Sequence, residues 1–270
     1  MPHATVTGKK TPRSSLCNHV SFSVPVSWEQ LSQKQLHHVL KLYCLFGSHP
    51  SGLVFVKMSA LTYFCGFEPL RNTDAGWVCR LRESGRTFIL DSGLLPSMEA
   101  HLSWLEHPED MTVRLEEVGG YKAANMWLQK FPFGNYLALE NHYQNYLQTH
   151  EDQQLDRMMH LLYDMPLSPY LEIRVPPYVL LSVFFWFTAV KKRFSKTFPH
   201  FLKPVAGGQQ TGTFQTQFEL TQMQIRLLTK GDVTRYQQVL DSDTWQALYE
   251  LDAQARDSEE FNRKYGKNNV

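Results

Sequence analysis

The run Tyr178–Val190, YVLLSVFFWFTAV, holds no charged residue and is followed at once by Lys191, Lys192 and Arg193. A helix needs ~20 predominantly apolar residues to cross a bilayer. Arg174, Pro176 and Pro177 block extension upstream, because proline fits the first turn of a helix and breaks its interior. A segment this apolar and this short reads as a buried core helix over about 177–194, with contact to a membrane surface or a partner's groove as the alternative. The rest of the chain must then supply amphipathic partners to wrap it.

Two partners stand directly upstream, in FPFGNYLALENHYQNYLQTHEDQQLDRMMHLLY, Phe131 to Tyr163. Tyr136, Leu139, Tyr143, Tyr146 and Leu147 recur at helical spacing after Pro132 and Gly134. Thr149 followed by Asp152 starts a second helix, whose stripe is Leu155, Met158, Met159, Leu162 and Tyr163 and which ends before Pro166 and Pro169. Earlier in the chain, Ser32 and Gln35 form a capping-box pattern ahead of Leu36, Val39, Leu40, Tyr43 and Cys44. A second helix, Leu53 to Cys65, follows the turn at His49–Gly52, and its stripe reads as Val54, Met58, Leu61 and Phe64 or Cys65.

The period then changes. In GWVCRLRESGRTFIL, Trp77, Cys79 and Leu81 alternate with Arg80 and Arg82, and Glu83-Ser84-Gly85 turns the chain into Thr87–Leu90, which makes a β-hairpin. A short helix is expected over Met98–Glu106 and a strand over Met111–Val118, ending at Gly119-Gly120. The fold class is therefore mainly α. A flexible N-terminal arm over 1–20 precedes a bundle-like helical body over 21–203, which carries the small hairpin at about 76–90. A linker over 204–213 leads to a C-terminal helical appendage over 214–270 with a polar tail. The appendage holds three short helices, too small to bury much alone, so it should pack on the body or on a partner.

Composition decides what such a chain can do only by exclusion. Its 43% hydrophobic residues argue against wholesale disorder, and its net charge of +1 argues against a strongly basic nucleic-acid binder. Cys17, Cys44, Cys65 and Cys79 contain no C-x-x-C pair, which leaves a zinc ribbon or redox pair unsupported; three of them read as buried free thiols in a reducing cytoplasm. The polar N-terminus, MPHATVTGKKTPRSS, lacks the apolar stretch of a signal peptide or anchor.

Motifs for catalysis are weak. His150, Glu151, Asp152, Asp156 and His160 lie close in sequence but fall on different helices or at a poor angular offset, without an H-E-x-x-H spacing. His37 and His38 are adjacent, so a helix points them in different directions. The glycine-rich run Gly207–Thr213 lacks the lysine of a phosphate loop. Asp91-Ser92-Gly93 lacks the upstream glycine of a nucleophile elbow, and Glu116 and Glu117 have no accompanying lysine. No catalytic residue, no metal ligand and no cofactor is assigned. Lys191, Lys192, Arg193 and Lys196, interleaved with phenylalanines, form a weak candidate patch for an anion or nucleic acid, although cations at a helix C-terminus equally serve its dipole. The candidate partner anchors are Tyr136, Tyr143, Tyr146, Tyr236 and Trp245, with the reservation that aromatics at helical spacing are more often core.

Three stretches carry a resemblance: VPVSWEQLSQKQLHHVLKLY (Val24–Tyr43), LQKFPFGNYLALENHYQNYL with LLYDMP (Leu128–Leu147, Leu161–Pro166), and GDVTRYQQVLDSDTWQALYELD (Gly231–Asp252). They resemble uncharacterised bacteriophage and prophage proteins, which in turn often resemble tail-assembly or virion-morphogenesis components. The resemblance implies a non-enzymatic helical protein similar to tail-assembly chaperones, which hold tape-measure or tail-tube subunits before polymerisation in the bacterial host cytoplasm. The hairpin and the length depart from that pattern. A structural virion component retained in the particle is the second reading. A nucleic-acid-handling factor, or an enzyme whose acidic and histidine groups meet only in the fold, is the third.

Overall fold

The computed structural model describes residues 4–8, 20–166, 175–202 and 214–265, with side chains for 20–166, 175–202 and 219–265. Those residues are predominantly helical, and they divide into two compact units, Met1–Leu115 and Glu116–Val270. The division falls between Leu115 and Glu116, inside the span expected as one body, and the helices beyond residue 213 belong to the second unit. The expected linker at 204–213 lies outside the described residues.

The first unit opens with β1 (Ala4–Gly8) and β2 (Val20–Val24), an antiparallel pair in the register Ala4↔Val24 to Gly8↔Val20. A strand therefore stands where a flexible arm was expected. Its source is local: Thr5, Val6 and Thr7 are β-branched, and β2 alternates exposed Ser21 and Ser23 with buried Phe22 and Val24.

Helix α1 (Gln33–Phe46) is capped as its sequence implies. The Gln35 backbone N–H donates to Ser32 Oγ, and the Ser32 N–H donates to Gln35 Oε1 at 2.8 Å. Its buried face is Leu36, Val39, Leu40, Leu42 and Tyr43; Cys44 is exposed, contrary to the expected stripe. Helix α2 (Gly52–Phe64) returns beside it. Its buried face is Val56, Lys57, Ala60 and Leu61, whereas Val54, expected on that face, is exposed. Its polar residues Lys57, Ser59 and Thr62 do not share one side, so its sequence does not fix the rotation.

A three-stranded antiparallel sheet follows, ordered β3 (Phe67–Thr73), β4 (Gly76–Leu81), β5 (Thr87–Leu90). The β4–β5 pair is the expected hairpin. Strand β3 was not expected, because it carries Pro69 and mostly exposed residues. It lies at the sheet edge with a bulge between Pro69 and Arg71, where a missing N–H is tolerated. Phe22, Phe67 and Phe88 meet beneath the strands with ring centroids 5.6–5.7 Å apart. The expected helix over 98–106 is split into α3 (Leu95–Ala100) and a 3-10 turn at Ser103–Glu106. The tip of the Lys57 side chain reaches Glu99 and Glu106 at 2.7 Å each.

In the second unit, the expected strand over 111–118 shrinks to β6 (Glu117–Val118), paired through Gly119-Gly120 with β7 (Tyr121–Lys122). Helices α4 (Phe133–Thr149), α5 (Asp152–Leu162) and α6 (Pro177–Thr197) form the core. As the apolar run implies, α6 lies inside: Val183, Trp186, Phe187, Val190 and Phe194 are at most 1% exposed. The Trp186 indole N–H donates to the Met126 carbonyl at 2.8 Å, which satisfies its polar edge within the core.

The remaining helices are α7 (Phe214–Thr229), α8 (Tyr236–Leu240) and α9 (Thr244–Tyr265). Helix α9 is joined to the entry of α4. Thr244 donates through its N–H and its hydroxyl to the Phe131 carbonyl, at 2.9 and 2.7 Å, and the Phe133 N–H donates to Ser242 at 2.8 Å. Asp243, expected as a cap, accepts from the N–H groups of Trp245 and Gln246. At the far end, Asp252 Oδ1 accepts from the N–H groups of His200 and Phe201, just past α6.

Candidate protein-binding surface

Two of the five proposed anchors are core residues. Tyr136 packs on Phe187 and Phe194, with centroids 6.3 and 5.7 Å away, and burial raises its phenol pKa. Tyr143 stacks on Phe184 and Phe187 at 5.6 and 5.3 Å, and its hydroxyl meets Thr188 Oγ1 at 3.2 Å. Both are buried. The correction follows from α6: the stripe that made them look like anchors is the face that covers the apolar helix. Tyr146 and Trp245 are half-buried. Tyr146 lies against Phe184. Trp245 donates its indole N–H to the Trp127 carbonyl at 2.6 Å and sits edge-on to Phe194 and Phe198. Tyr236, at 39% exposed, is the anchor that presents itself to solvent.

The basic group does not act as one patch. Lys191 Nζ lies 2.7 Å from both Glu140 oxygens. Burial works against its ammonium, but the Glu140 carboxylate outweighs burial and holds its pKa above the ordinary value. Arg193 lies over the Trp127 ring, 4.4 Å from its centroid. Lys196 is exposed and Lys192 half-buried. The charges thus divide between a half-buried ion pair at Lys191, a stacked guanidinium at Arg193 and the exposed Lys196.

The sequence-adjacent acids and histidines do not gather into one group among the described residues. His160 Nε2 is 3.8 Å from Asp156, while His150 closes α4 in the left-handed region and meets the Tyr146 ring edge-on. His38 stacks on Tyr63. Asp91 serves as a cap, accepting from the Gly93 N–H at 2.8 Å. Burial pushes the Cys65 thiol up to about 12 and the Cys79 thiol up to about 11, far from thiolate chemistry near neutral pH. Sequence reading missed one group, His107, Glu109 and Asp110, whose ligand atoms lie within 4.8 Å of one another on a surface 3-10 turn. Only their crowding within four residues could have signalled it.

Two surface features remain, and neither was identified from sequence. The first is the tip of the α1–α2 hairpin. Leu45, Leu53, Val54 and Phe55 are 71, 41, 49 and 48% exposed, and the half-buried Phe46 ring meets Phe55 at 5.7 Å. Gly52 permits the tight return: a Cβ there would fall 1.9 Å from the Phe46 carbonyl oxygen. The second is a cleft of about 500 Å³ formed by α4, α7 and α8, with buried Leu137 and Ile225 at its floor and Tyr236 at its rim.

What the geometry defines is a predominantly α chain that carries a small antiparallel sheet and displays apolar side chains at a helical hairpin tip. No described helix is long and apolar enough to cross a membrane. Compared with family models, curated proteins and solved structures, the chain has no match.

Proposed function

We propose that this chain works by protein–protein contact as an assembly factor, and that its partners are subunits of a phage or prophage particle, such as a tail-tube or tape-measure protein. The observation that carries the reading is the α1–α2 tip, where four large apolar side chains stand exposed within eleven consecutive residues, Leu45–Phe55. Clustered exposed apolar side chains mark interaction sites, since leaving them in water forgoes roughly 25 cal/mol per Å² of burial. The partner class rests on the resemblance of the three sequence stretches to phage morphogenesis proteins. An assembly factor of this kind shields apolar surface on a polymerising subunit and releases it without bond chemistry.

Co-expression with tail-tube and tape-measure subunits tests the proposal. The wild-type chain should co-purify with one of them and keep it soluble, and a Leu53→Ser/Phe55→Ser variant of unchanged fold should not. Recovery of the chain from washed, mature particles would instead favour a virion component that stays in place after assembly.

A further inference from the structure

The cleft between α4, α7 and α8 has a chemistry different from that of the hairpin tip. Its walls are carboxamides: Asn135 and Asn141 from α4, Gln222 from α7 and Gln237 from α8. Among the described residues the side chains of Asn135, Asn141 and Gln222 make no hydrogen bond within the chain, whereas Gln237 donates to Asp241 Oδ1 at 3.0 Å. Asp241 is the one charged side chain of the lining, and this contact turns its carboxylate toward Gln237. Apart from the Asp241 carboxylate, the wall is uncharged and rich in unused donors and acceptors.

We infer that this cleft binds an extended peptide segment of a partner protein that carries no acidic side chain. This rests on the reading of the chain as a protein-binding factor and names a second point of contact with its own recognition chemistry. A carboxamide offers an N–H donor and a C=O acceptor side by side, which is the pattern that a peptide bond of an extended strand needs. Asn135 and Asn141 stand six residues apart on α4, a rise of roughly 9 Å, so they meet separate peptide groups on a strand that advances ~3.3 Å per residue. An extended strand also turns every second side chain to one face. Leu137 and Ile225 at the floor receive that face, and the exposed ring of Tyr236 closes over the rim. An acidic segment would lose hydration on entering and meet the Asp241 carboxylate, which selects against it.

The test uses the full chain and a displayed library of random-sequence peptides, followed by anisotropy titration of the selected consensus peptide. The expected result is a consensus free of acidic residues with an apolar side chain at alternate positions. Asn141→Ala and Gln222→Ala should each weaken it about tenfold, the loss of one carboxamide pairing, with unchanged thermal unfolding, because both sites are half-buried on helices that alanine suits. Tyr236→Ala should weaken it as well. Selection of no peptide, selection of acidic peptides, or full binding by the cleft variants overturns the inference. So does a glycan array in which neutral oligosaccharides bind and the peptide does not compete. If the consensus peptide is lost from the Leu53→Ser/Phe55→Ser variant and kept by the cleft variants, the cleft assignment fails while the protein-binding reading stands.

Discussion

Helix α6 and the α1–α2 tip are built from the same stock of valine, leucine and phenylalanine, and they end in opposite situations. On α6, Phe187 and Phe194 meet Tyr136 from α4, Trp186 meets Tyr163 after α5, and each is almost fully enclosed. At the tip, Phe46 and Phe55 meet each other, and Leu45, Leu53 and Val54 are exposed beside them. Apolar character alone does not decide whether a side chain stabilises the fold or waits for a partner. The element placed opposite decides it, and for the tip that element is proposed to come from another protein.

Substitutions that separate stability from binding are the sharpest way to break this contrast. Phe187→Ala should cost about 4 kcal/mol of stability in urea unfolding, because it empties an enclosed site. A loss below about 1 kcal/mol would show that the α4–α6 interior is not closely packed. Phe55→Ser, a comparable deletion of aromatic surface at an exposed site, should change stability by no more than about 0.5 kcal/mol.

Glu140→Ala sharpens the core side of the comparison, since it leaves the Lys191 ammonium unpaired beside Tyr136. About 2 kcal/mol should be lost, less than for a fully enclosed pair because both side chains retain a quarter of their exposure. In the first unit, the hydrogen bond and charge of Lys57 hold the Glu106 pKa below the usual carboxylate value. Burial opposes the Lys57 charge, but its hydrogen bonds to Glu106 and Glu99 hold its pKa above the ordinary value. A depressed carboxylate pKa gives stability that is present above the unfolded value and lost as pH falls through the folded one. A raised ammonium pKa gives stability that is lost as pH rises through its folded value, in the alkaline range. The ion pair is therefore at full strength near neutrality, and Lys57→Met should flatten the fall in stability between roughly pH 5 and pH 3. A change of opposite sign is expected at Lys130, an exposed residue held at φ 58°. Lys130→Gly should stabilise by up to about 1 kcal/mol through relief of the left-handed backbone.

The same contrast explains what could be read from the chain. Helices α4, α5 and α6 are legible because a strong apolar stripe stands against polar or charged neighbours, and the Ser32/Gln35 cap is legible because its hydrogen bonds span only four residues. Strand β3 is not, since Pro69 and its polar neighbours are tolerated only by its position at a sheet edge. Strand β1 is five residues long and owes its place to β2, twelve residues further on. The rotation of α2 was misplaced because its polar residues mark no single side, and its lysine turns out to face inward onto two glutamates. For the binding surface the difficulty is greater. The spacing of Tyr136 and Tyr143 signals that they are covered, not what covers them, and the exposure of Phe55 depends on the absence of a facing element, which no local pattern records. Tyr236 is named as a candidate anchor from its helical spacing, but its cleft depends on three helices that lie far apart in the sequence.

The central claim is best tested by titrating tail-tube and tape-measure subunits against the wild-type chain and the Leu53→Ser/Phe55→Ser variant, with thermal unfolding of both recorded in the same buffer. The account predicts saturable binding by wild type, at least about a tenfold weaker affinity for the variant, and coincident unfolding curves. Equal affinity of the two proteins, or no binding of any such subunit by the wild-type chain, would contradict it.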